Sequence, residues 1–422
     1  MATEKFRVNI FDMIISIAKV VDMMSPVVGN HHMQVAYLAN RIGEELNLSD
    51  HERYELVIAG ALHDIGAFSL RERLDLLEFE DAHPGQHSLA GYLLLRDLNL
   101  LMPIATLIKF HHVPWEHGKG ALKDGEHVPQ GSHIIHLADR VAVKISKDKS
   151  VLSQVPGICE AITQGKDDVF NSIHVDAMLK LSKRDYIWLD VISDSIESIL
   201  WRSISHQSKE LDIDELRDFA WLICRLIDFK SEFTATHSSG VAATAAAVAE
   251  LVGFSDNENK LMEIAAYLHD LGKLAIPSEI LEKPGKLSDD EWFIMRSHVY
   301  YTYKMLEPIS VLGIISSWGA LHQERLNGTG YPFGYTKEEL PFGSRILAVA
   351  DVFTALTEDR PYRKGMDKKE TVDVLQSMTA KGELDENLIN IVLEHFDEMN
   401  IIRDSAQKKA IQKYKEFQAS LY

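Results

Sequence analysis

The sequence contains few cysteines: Cys159 and Cys224 are the only two among 422 residues, and they do not form a CxxC pair. This excludes a disulfide framework and a cysteine-type zinc site, and it fits a reducing compartment. No segment approaches roughly eighteen uninterrupted apolar residues, the length typical of a membrane-spanning helix. The apolar stretch near the N-terminus carries Asp12 and Lys19 within helical spacing, which indicates an amphipathic helix and not a signal peptide. We therefore expect a cytoplasmic protein.

Positive charge is also scarce. The chain has 44 lysines and arginines against 63 aspartates and glutamates, a formal net charge of −19. Such an acidic chain is not expected to bind a nucleic-acid polymer or an anionic membrane by nonspecific attraction. A ligand that carries phosphate would have to be bound locally, by metal ions or by a few basic side chains.

Runs of alternating polar and apolar residues, the pattern of half-buried strands, are missing as well. Helical periodicity dominates, and glycine and proline fall mostly between the periodic segments. The sequence therefore predicts an all-α protein.

An internal repeat organises the chain. An interval of 32 residues separates His31 from His63, and the same interval separates His237 from His269. A second pair of equal intervals, 24 residues each, joins His87 to His111 and His298 to His322. The segment around Asp139 aligns with the segment around Asp351, whereas the middle interval is 24 residues in the first half and 29 in the second. Matching landmarks in the same order indicate a tandem duplication.

The polar stretch that begins at His206 is the expected boundary between the copies. We therefore predict two tandem helical domains, residues 1–205 and residues 206–422.

The second copy brings together the residue types of a metal site. His269 and Asp270 are predicted at the end of one helix, and Asp351 lies within an apolar helix, where a carboxylate is costly unless it is paired or bound to metal. Nitrogen and oxygen ligands without thiolate suit iron, manganese or zinc in an open, catalytic geometry. Because Asp270 could bridge, and the ligands exceed the needs of one ion, we expect two divalent ions. Iron or manganese is expected first, with zinc, nickel or magnesium as alternatives.

Four uncommon sequence motifs occur in this half of the chain: HDLGK from His269, HQERLNGTGYPFG from His322, RILAVADVFTAL from Arg345 and RPYRKG from Arg360. Together they resemble the HD-GYP family of the HD phosphohydrolase superfamily over about residues 230–385. The resemblance implies a helical metal-dependent domain that hydrolyses cyclic dinucleotides, above all cyclic di-GMP. The metal ligands that it implies are His237, His269, Asp270, His298, His322 and Asp351. The implied catalytic residues are Asp270, Lys273 and His269, and the implied substrate contacts are Lys273, Glu324, Tyr331, Arg360 and Arg363.

The chain departs from the family pattern at two positions that bear on the metals. Gln323 replaces the second histidine of a usual pair, so it is a further candidate ligand, but a weaker one. Phe233 stands where three-metal members have a glutamate, and two ions at most are therefore expected. The first copy reads Ala67 in place of the lysine and lacks the GYP loop. It is similar to a general HD domain with a candidate metal site of its own, formed by His31, His63, Asp64, His87, His111, His112 and Asp139.

The sequence thus predicts a phosphodiesterase that opens a cyclic dinucleotide, cyclic di-GMP or 3′,3′-cyclic GMP–AMP, to the linear dinucleotide. Two alternatives stay open: a signalling module that binds a cyclic dinucleotide without turnover, and an HD nucleotidase that acts on mononucleotides. The first domain is expected to be regulatory. No nucleic-acid polymer and no membrane is expected as a partner, and a homodimer is left open.

Overall fold

The computed structural model describes residues 6–23, 29–67, 85–229, 236–283, 285–359 and 364–421. These residues are overwhelmingly helical, which confirms the all-α prediction. Within them the strands are four two-residue segments: β1 (Val8–Asn9), β2 (Leu122–Lys123), β3 (Glu126–His127) and β4 (Glu210–Leu211). No described helix combines the length and the apolar character needed to cross a bilayer.

The chain divides into two compact units that comprise, apart from a few terminal residues, residues 9–209 and residues 210–420. The α-helices of the first unit are α1 (Ile10–Met23), α2 (His31–Glu45), α3 (Asp50–Leu62), α4 (Gly85–Leu95), α5 (Met102–Lys109), α6 (Gln130–Val143), α7 (Val151–Gln164), α8 (Ser172–Leu181), α9 (Asp185–Val191) and α10 (Ile196–Ile204). Short 3₁₀ helices lie at Asn99–Leu101, Glu116–Ala121 and Ser205–Gln207.

The second unit repeats much of this order. Its α-helices are α11 (Ile213–Phe229), α12 (His237–Leu251), α13 (Asp256–Leu268), α14 (Ser278–Leu281), α15 (Asp289–Leu306), α16 (Gly313–Ala320), α17 (Phe342–Thr357), α18 (Lys368–Ala380), α19 (Glu386–Glu394) and α20 (Phe396–Leu421). Its 3₁₀ helices lie at Leu271–Ala275 and Ser310–Leu312.

The amphipathic helix predicted near the N-terminus is α1, and its exposed face is narrow. Apart from Asp12 and Lys19, its residues from Ile10 to Asp22 are buried. A helix that is apolar on nearly every side belongs inside a protein, and α1 is accordingly a central helix of the first unit.

The same N-terminal capping motif occurs at helix starts in both units. Ser49 with Glu52 at the start of α3, and Ser255 with Glu258 at the start of α13, each form a complete capping box. The predicted box of Ser288 and Glu291 is also present and fixes the start of α15. Because each box satisfies backbone N–H groups at a helix N-terminus, it sets where the following helix begins and therefore where its histidine lies.

Small side chains let the central helices of the second unit approach closely. Ala242, Ala245 and Ala249 of α12 are buried in one cluster with Ala266 of α13 and Ala350 of α17. This packing places the start of α12 beside the end of α13 and the middle of α17. Three separate parts of the sequence therefore meet at one point.

A glycine permits a close backbone contact at the corresponding place in each unit. A Cβ atom on Gly272 would lie 1.9 Å from the carbonyl oxygen of His298, and one on Gly66 would lie 2.2 Å from that of His87. The Gly272 amide also donates to Thr302 Oγ1 (2.9 Å), and that hydroxyl donates to the His269 carbonyl (3.1 Å). The end of α13 is thus held against α15, which sets the separation of His269 and Asp270 from His298.

Candidate metal centre

All six predicted ligands of the second unit are buried, and they converge. Ligand atoms of His237, His269 and Asp270 lie within 4.8 Å of one another, and those of Asp270, His298 and His322 form a second group of the same size. Asp351 joins the first group, because its Oδ1 lies 3.1 Å from His237 Nε2.

Asp270 is common to both groups. Its Oδ2 lies 3.2 Å from His269 Nε2, while its Oδ1 lies 3.2 Å from His298 Nε2 and 4.0 Å from His322 Nε2. A carboxylate that faces separate imidazoles with its two oxygens has the arrangement of a ligand bridging two ions. The bridging role of Asp270 and the number of ions stay predictions.

Backbone carbonyls orient three of the imidazoles. Nδ1 of His269, His298 and His322 lies 2.7, 2.6 and 2.7 Å from the carbonyl oxygen three residues earlier in each case. A carbonyl only accepts, so Nδ1 carries the proton and Nε2 presents its lone pair to the centre.

The described residues therefore fit divalent metal ions. The buried Nε2 atoms of His269 and His298 have no hydrogen-bond partner of acceptable geometry among the described residues. Leaving such an atom unsatisfied costs about 1–3 kcal/mol, and a metal ion would satisfy it. The donors are imidazole nitrogens and carboxylate oxygens, the set that suits iron, manganese or zinc.

His237 is held on both sides by carboxylates. Its Nδ1 lies 3.1 Å from each oxygen of Glu358, a buried residue that the sequence analysis did not identify. Gln407 of α20 donates to Glu358 (2.9 Å) and in turn accepts from Arg403. Burial opposes protonation of His237, but Glu358 and Asp351 outweigh it and raise the pKa of the imidazole to about 10.

Burial opposes protonation of His269 as well, but Asp270 and Asp351 outweigh it and raise the pKa of this imidazole, whereas the pKa values of Asp270 and His322 are lowered. Burial alone would raise the pKa of Asp270, but His269 and Lys273 hold it well below its usual range. Burial, reinforced by His269, lowers the pKa of His322 to about 3. At neutral pH the centre thus offers ionised aspartate and neutral His322, both in the state that a metal ligand requires.

Lys273 lies beside the shared aspartate, with its Nζ 2.5 Å from Asp270 Oδ2. Its predicted contact with a substrate phosphate stays a prediction. Gln323 also reaches the centre, but its amide nitrogen donates to Asp351 Oδ2 at 3.0 Å. In this arrangement Gln323 positions Asp351, and its role as a further metal ligand stays a prediction.

Glu324 holds the loop after α16 in place, and its predicted contact with the substrate stays a prediction. The side chain is buried, and its oxygens accept hydrogen bonds from the backbone amides of Phe333 (2.7 Å), Gly334 (3.2 Å) and Tyr335 (3.1 Å). Both oxygens are therefore engaged with the loop itself. Gly330 permits the tight fold, since a Cβ there would lie 2.4 Å from the Glu324 Cα.

Tyr331 places an aromatic ring at the edge of the centre. Burial is the main cause that raises the pKa of the Tyr331 hydroxyl, and the nearby charges of Asp351 and Asp270 raise it further. The guanidinium carbon of Arg296 lies 4.6 Å from the centre of this ring, and the Trp292 ring lies 6.2 Å from it in an edge-on arrangement. Arg296, two residues before His298, was not identified from the sequence. Arg360, Arg363 and Phe233 lie outside the described residues.

The first unit contains a second cluster of the same kind. Ligand atoms of Asp64, His87, His111 and His112 form one group, and those of His31, His63 and Asp64 form another. Asp64 is shared just as Asp270 is. Asp139 lies 3.2 Å from His31 Nε2 through Oδ1, so the structure brings all seven predicted residues of this half together. Position 67 is an alanine, and no lysine equivalent to Lys273 follows Asp64.

Comparisons with known proteins agree with both halves. The HD domain family matches residues 28–144 and, through a second family of that description, residues 222–388. The chain is 29% identical over 401 residues to 3'3'-cGAMP-specific phosphodiesterase 1 of Vibrio cholerae, covering 93% of each chain. It is 37% identical over 178 residues to the cyclic di-GMP phosphodiesterase response regulator RpfG of Xanthomonas campestris, covering 40% of this chain and 46% of that one.

A solved structure shares the fold over nearly the whole length. The cyclic GMP-AMP-specific phosphodiesterase V-cGAP3 of V. cholerae superimposes with a TM-score of 0.63 at 21% identity, covering 96% of this chain and 98% of that chain. With the paired His and Asp groups, these matches confirm the family that the motifs had indicated. The chain is a protein of two HD domains, and its C-terminal half belongs to the HD-GYP family.

Proposed function

We propose that the chain is a metal-dependent phosphodiesterase that hydrolyses a cyclic dinucleotide to the linear dinucleotide, with 3′,3′-cyclic GMP–AMP as the preferred substrate. The observation that carries the proposal is the pair of ligand groups that share Asp270, with Lys273 directly beside them. The choice of substrate rests on the relatives: the cGAMP-specific enzyme matches 93% of this chain, whereas RpfG matches 40%.

Two divalent ions bound here would supply Lewis acidity to a phosphodiester and would lower the pKa of water. The protein's own residues supply the rest. Asp270 would face both ions, and Glu358 fixes the ring of His237 through Nδ1. Lys273 provides a positive charge next to the shared aspartate, where charge develops on phosphoryl oxygens during in-line attack.

Recognition of the nucleotide would fall to the rim formed by Trp292, Arg296 and Tyr331. Aromatic faces stack on nucleobases, and a guanidinium suits phosphate or guanine through paired hydrogen bonds. No described carboxylate lies within ion-pair distance of Arg296, and its guanidinium rests on the Tyr331 ring. This group is therefore available to a ligand that enters between the rim and the metal ligands.

We assign different functions to the two units. The second carries the lysine, the loop and the rim, so we assign hydrolysis to it; the first lacks the lysine and is assigned a regulatory role. The boundary between residues 205 and 206, a cytoplasmic location and a homodimer stay predictions.

The direct test is turnover by the purified full chain loaded with manganese or iron. The substrates are 3′,3′-cyclic GMP–AMP, cyclic di-GMP, and GMP and AMP as mononucleotides, with Asp270→Ala and His269→Ala as inactive controls. We expect a linear dinucleotide from 3′,3′-cyclic GMP–AMP at the highest kcat/KM. Tight binding without turnover would instead identify a signalling module, and turnover of mononucleotides alone would identify a nucleotidase.

A further inference from the structure

A chain of hydrogen bonds connects the C-terminal helix α20 to His237. Arg403 donates through Nη1 to the amide oxygen of Gln407, and the amide nitrogen of Gln407 donates to Glu358 Oε2 at 2.9 Å. Glu358 in turn faces Nδ1 of His237 with both of its oxygens. Arg403, Gln407 and Glu358 are buried, so each of these polar groups depends on its neighbour in the chain for a partner.

The guanidinium of Arg403 fixes the direction of every hydrogen bond in this chain. A guanidinium has donors but no acceptor, so Gln407 turns its amide oxygen toward Arg403 and its NH₂ group toward Glu358. An ionised carboxylate only accepts, so Glu358 accepts one hydrogen bond from Gln407 and another from His237. The proton of His237 therefore lies on Nδ1, and Nε2 on the opposite side of the ring faces Asp351 Oδ1 at 3.1 Å.

Both ends of the Arg403–Gln407 pair are held in place. Asn400 Oδ1 accepts from Nε of Arg403 at 3.2 Å and from Nη2 at 2.9 Å. Gly240 of α12 leaves the space that the amide occupies, because a Cβ at this position would lie 2.9 Å from the Gln407 amide nitrogen. Residues three positions apart share one face of a helix, so the amide passes over the same turn that carries His237.

The corresponding positions of the first unit carry other residues. Counted from the last aspartate of each copy, the counterpart of Glu358 is Ser146, which is exposed. Counted from the first histidine, the counterpart of Gly240 is Gln34. The repeated helical fold therefore forms without this hydrogen-bond chain, which occurs in the unit to which hydrolysis is assigned.

We propose that Arg403 and Gln407 are positioning residues of the metal centre in the second unit. Through Glu358 they hold the ring of His237 in the orientation and the tautomer that a metal ligand requires. The inference does not depend on the proposed phosphodiesterase activity, because it is read from metal binding. A chain that binds manganese but leaves cyclic dinucleotides intact would reject the proposed function and leave this assignment in place.

Titration of the metal-free full chain with manganese tests the assignment. We expect Arg403→Met and Gln407→Met each to weaken binding by about tenfold, the lower end of the loss caused by removing groups that orient a ligand. Arg403→Lys should recover most of the affinity, because lysine also has donors only. Lys408→Met, an exposed change on the same helix, is the matched control and should bind as the parent protein does. The first unit is identical in all these proteins, so a difference between their isotherms reports the second unit.

A double-mutant cycle separates positioning from a general structural role. In a Glu358→Ala background, Arg403→Met should cause less than about a twofold further loss of manganese affinity, since the residue through which it acts is gone. A loss of the same size in both backgrounds would overturn the assignment, as would parent affinity in the folded Arg403→Met and Gln407→Met variants.

Gly240→Ala provides a test that removes neither Arg403 nor Gln407. Its Cβ would displace the Gln407 amide, so manganese binding should weaken as it does in Gln407→Met. Circular dichroism checks the fold of every variant. If Arg403→Met does not fold, Gln407→Met and Gly240→Ala decide the question, and parent affinity in both would overturn the assignment.

Discussion

Glu358 lies against the outer edge of His237, with both carboxylate oxygens 3.1 Å from Nδ1. The two residues are 121 positions apart in the sequence, and the carboxylate is itself held by Gln407. Carboxylates that orient a metal-binding imidazole usually matter nearly as much as the ligand.

We therefore expect Glu358→Gln to weaken metal binding by about 10- to 100-fold, because outer partners of this kind contribute that much affinity. Titration of the metal-free protein with manganese measures the change. Glu394→Gln, an exposed position on α19, is the matched control and should bind as the unchanged protein does. Equal affinity for both variants would show that the carboxylate does not support His237.

Replacement of Lys273 should separate catalysis from metal binding. We expect Lys273→Ala to lower kcat by about 100-fold, the usual loss when one group that stabilises developing charge is removed. Metal content should not fall, because the variant removes a positive charge from beside Asp270. Lys304→Ala is the control, since that lysine pairs with Glu307 on the surface of α15. A variant that loses its metal together with its activity would contradict the assigned role.

The rim residues Trp292, Arg296 and Tyr331 should contribute mainly to substrate binding. We expect Arg296→Ala to raise KM about tenfold, which corresponds to about 1.4 kcal/mol, with a smaller effect on kcat. Arg296→Lys should recover only part of the loss, because lysine keeps the charge but not the planar guanidinium. Arg217→Ala, which removes a surface ion pair with Asp214, should leave KM unchanged. If Arg296→Lys restored KM fully, the positive charge alone, without the planar guanidinium, would account for the contribution of Arg296 to substrate binding.

Asp228 should make the stability of the metal-free protein depend on pH. Burial is the main cause that raises its pKa to about 7, although Ser238 donates to its Oδ1 at 2.7 Å. The unfolded chain has the ordinary value near 3.8, so the folded chain binds the extra proton between these two values. The stability contributed by this proton is full below pH 3.8 and is lost as pH rises through about 7.

At about 1.4 kcal/mol per pKa unit, the loss amounts to a few kcal/mol. Asp228→Asn cannot ionise, so its free energy of unfolding should fall less than that of the parent protein from pH 5 to pH 8. Denaturant unfolding at both pH values measures the difference. Parallel pH dependence in the two proteins would show that Asp228 does not titrate in this range.

Gly272→Ala should break the contact between α13 and α15. Its Cβ would lie 1.9 Å from the His298 carbonyl oxygen, and the backbone on both sides would have to move. We expect destabilisation by about 3 kcal/mol, at the upper end for overpacking, and weaker metal binding. Gly313→Ala is the control, since a Cβ there meets nothing within 4 Å. Similar thermal midpoints for the two variants would contradict the argument.

The sequence predicted the helical class and the convergence of the metal ligands because repeat spacing and apolar periodicity are local properties. It did not predict Glu358 or Gln407, whose roles arise from contacts between helices that are distant in the sequence. Glu324 shows the same limit: its motif indicates a place near the site, but only the fold shows that its oxygens accept from amides of the loop. The one signal in the sequence was the position of Glu358, a second carboxylate directly after the apolar helix that contains Asp351.

The glycine contacts have a practical consequence for protein engineering. Gly66 meets His87 after 21 residues, and Gly272 meets His298 after 26, yet the same backbone approach results. The number of residues between the glycine and the histidine therefore differs between the two units, although the backbone contact between these two residues is the same. A foreign peptide spliced into this connection, such as an epitope or a fluorescent reporter, should leave the cation-binding geometry intact.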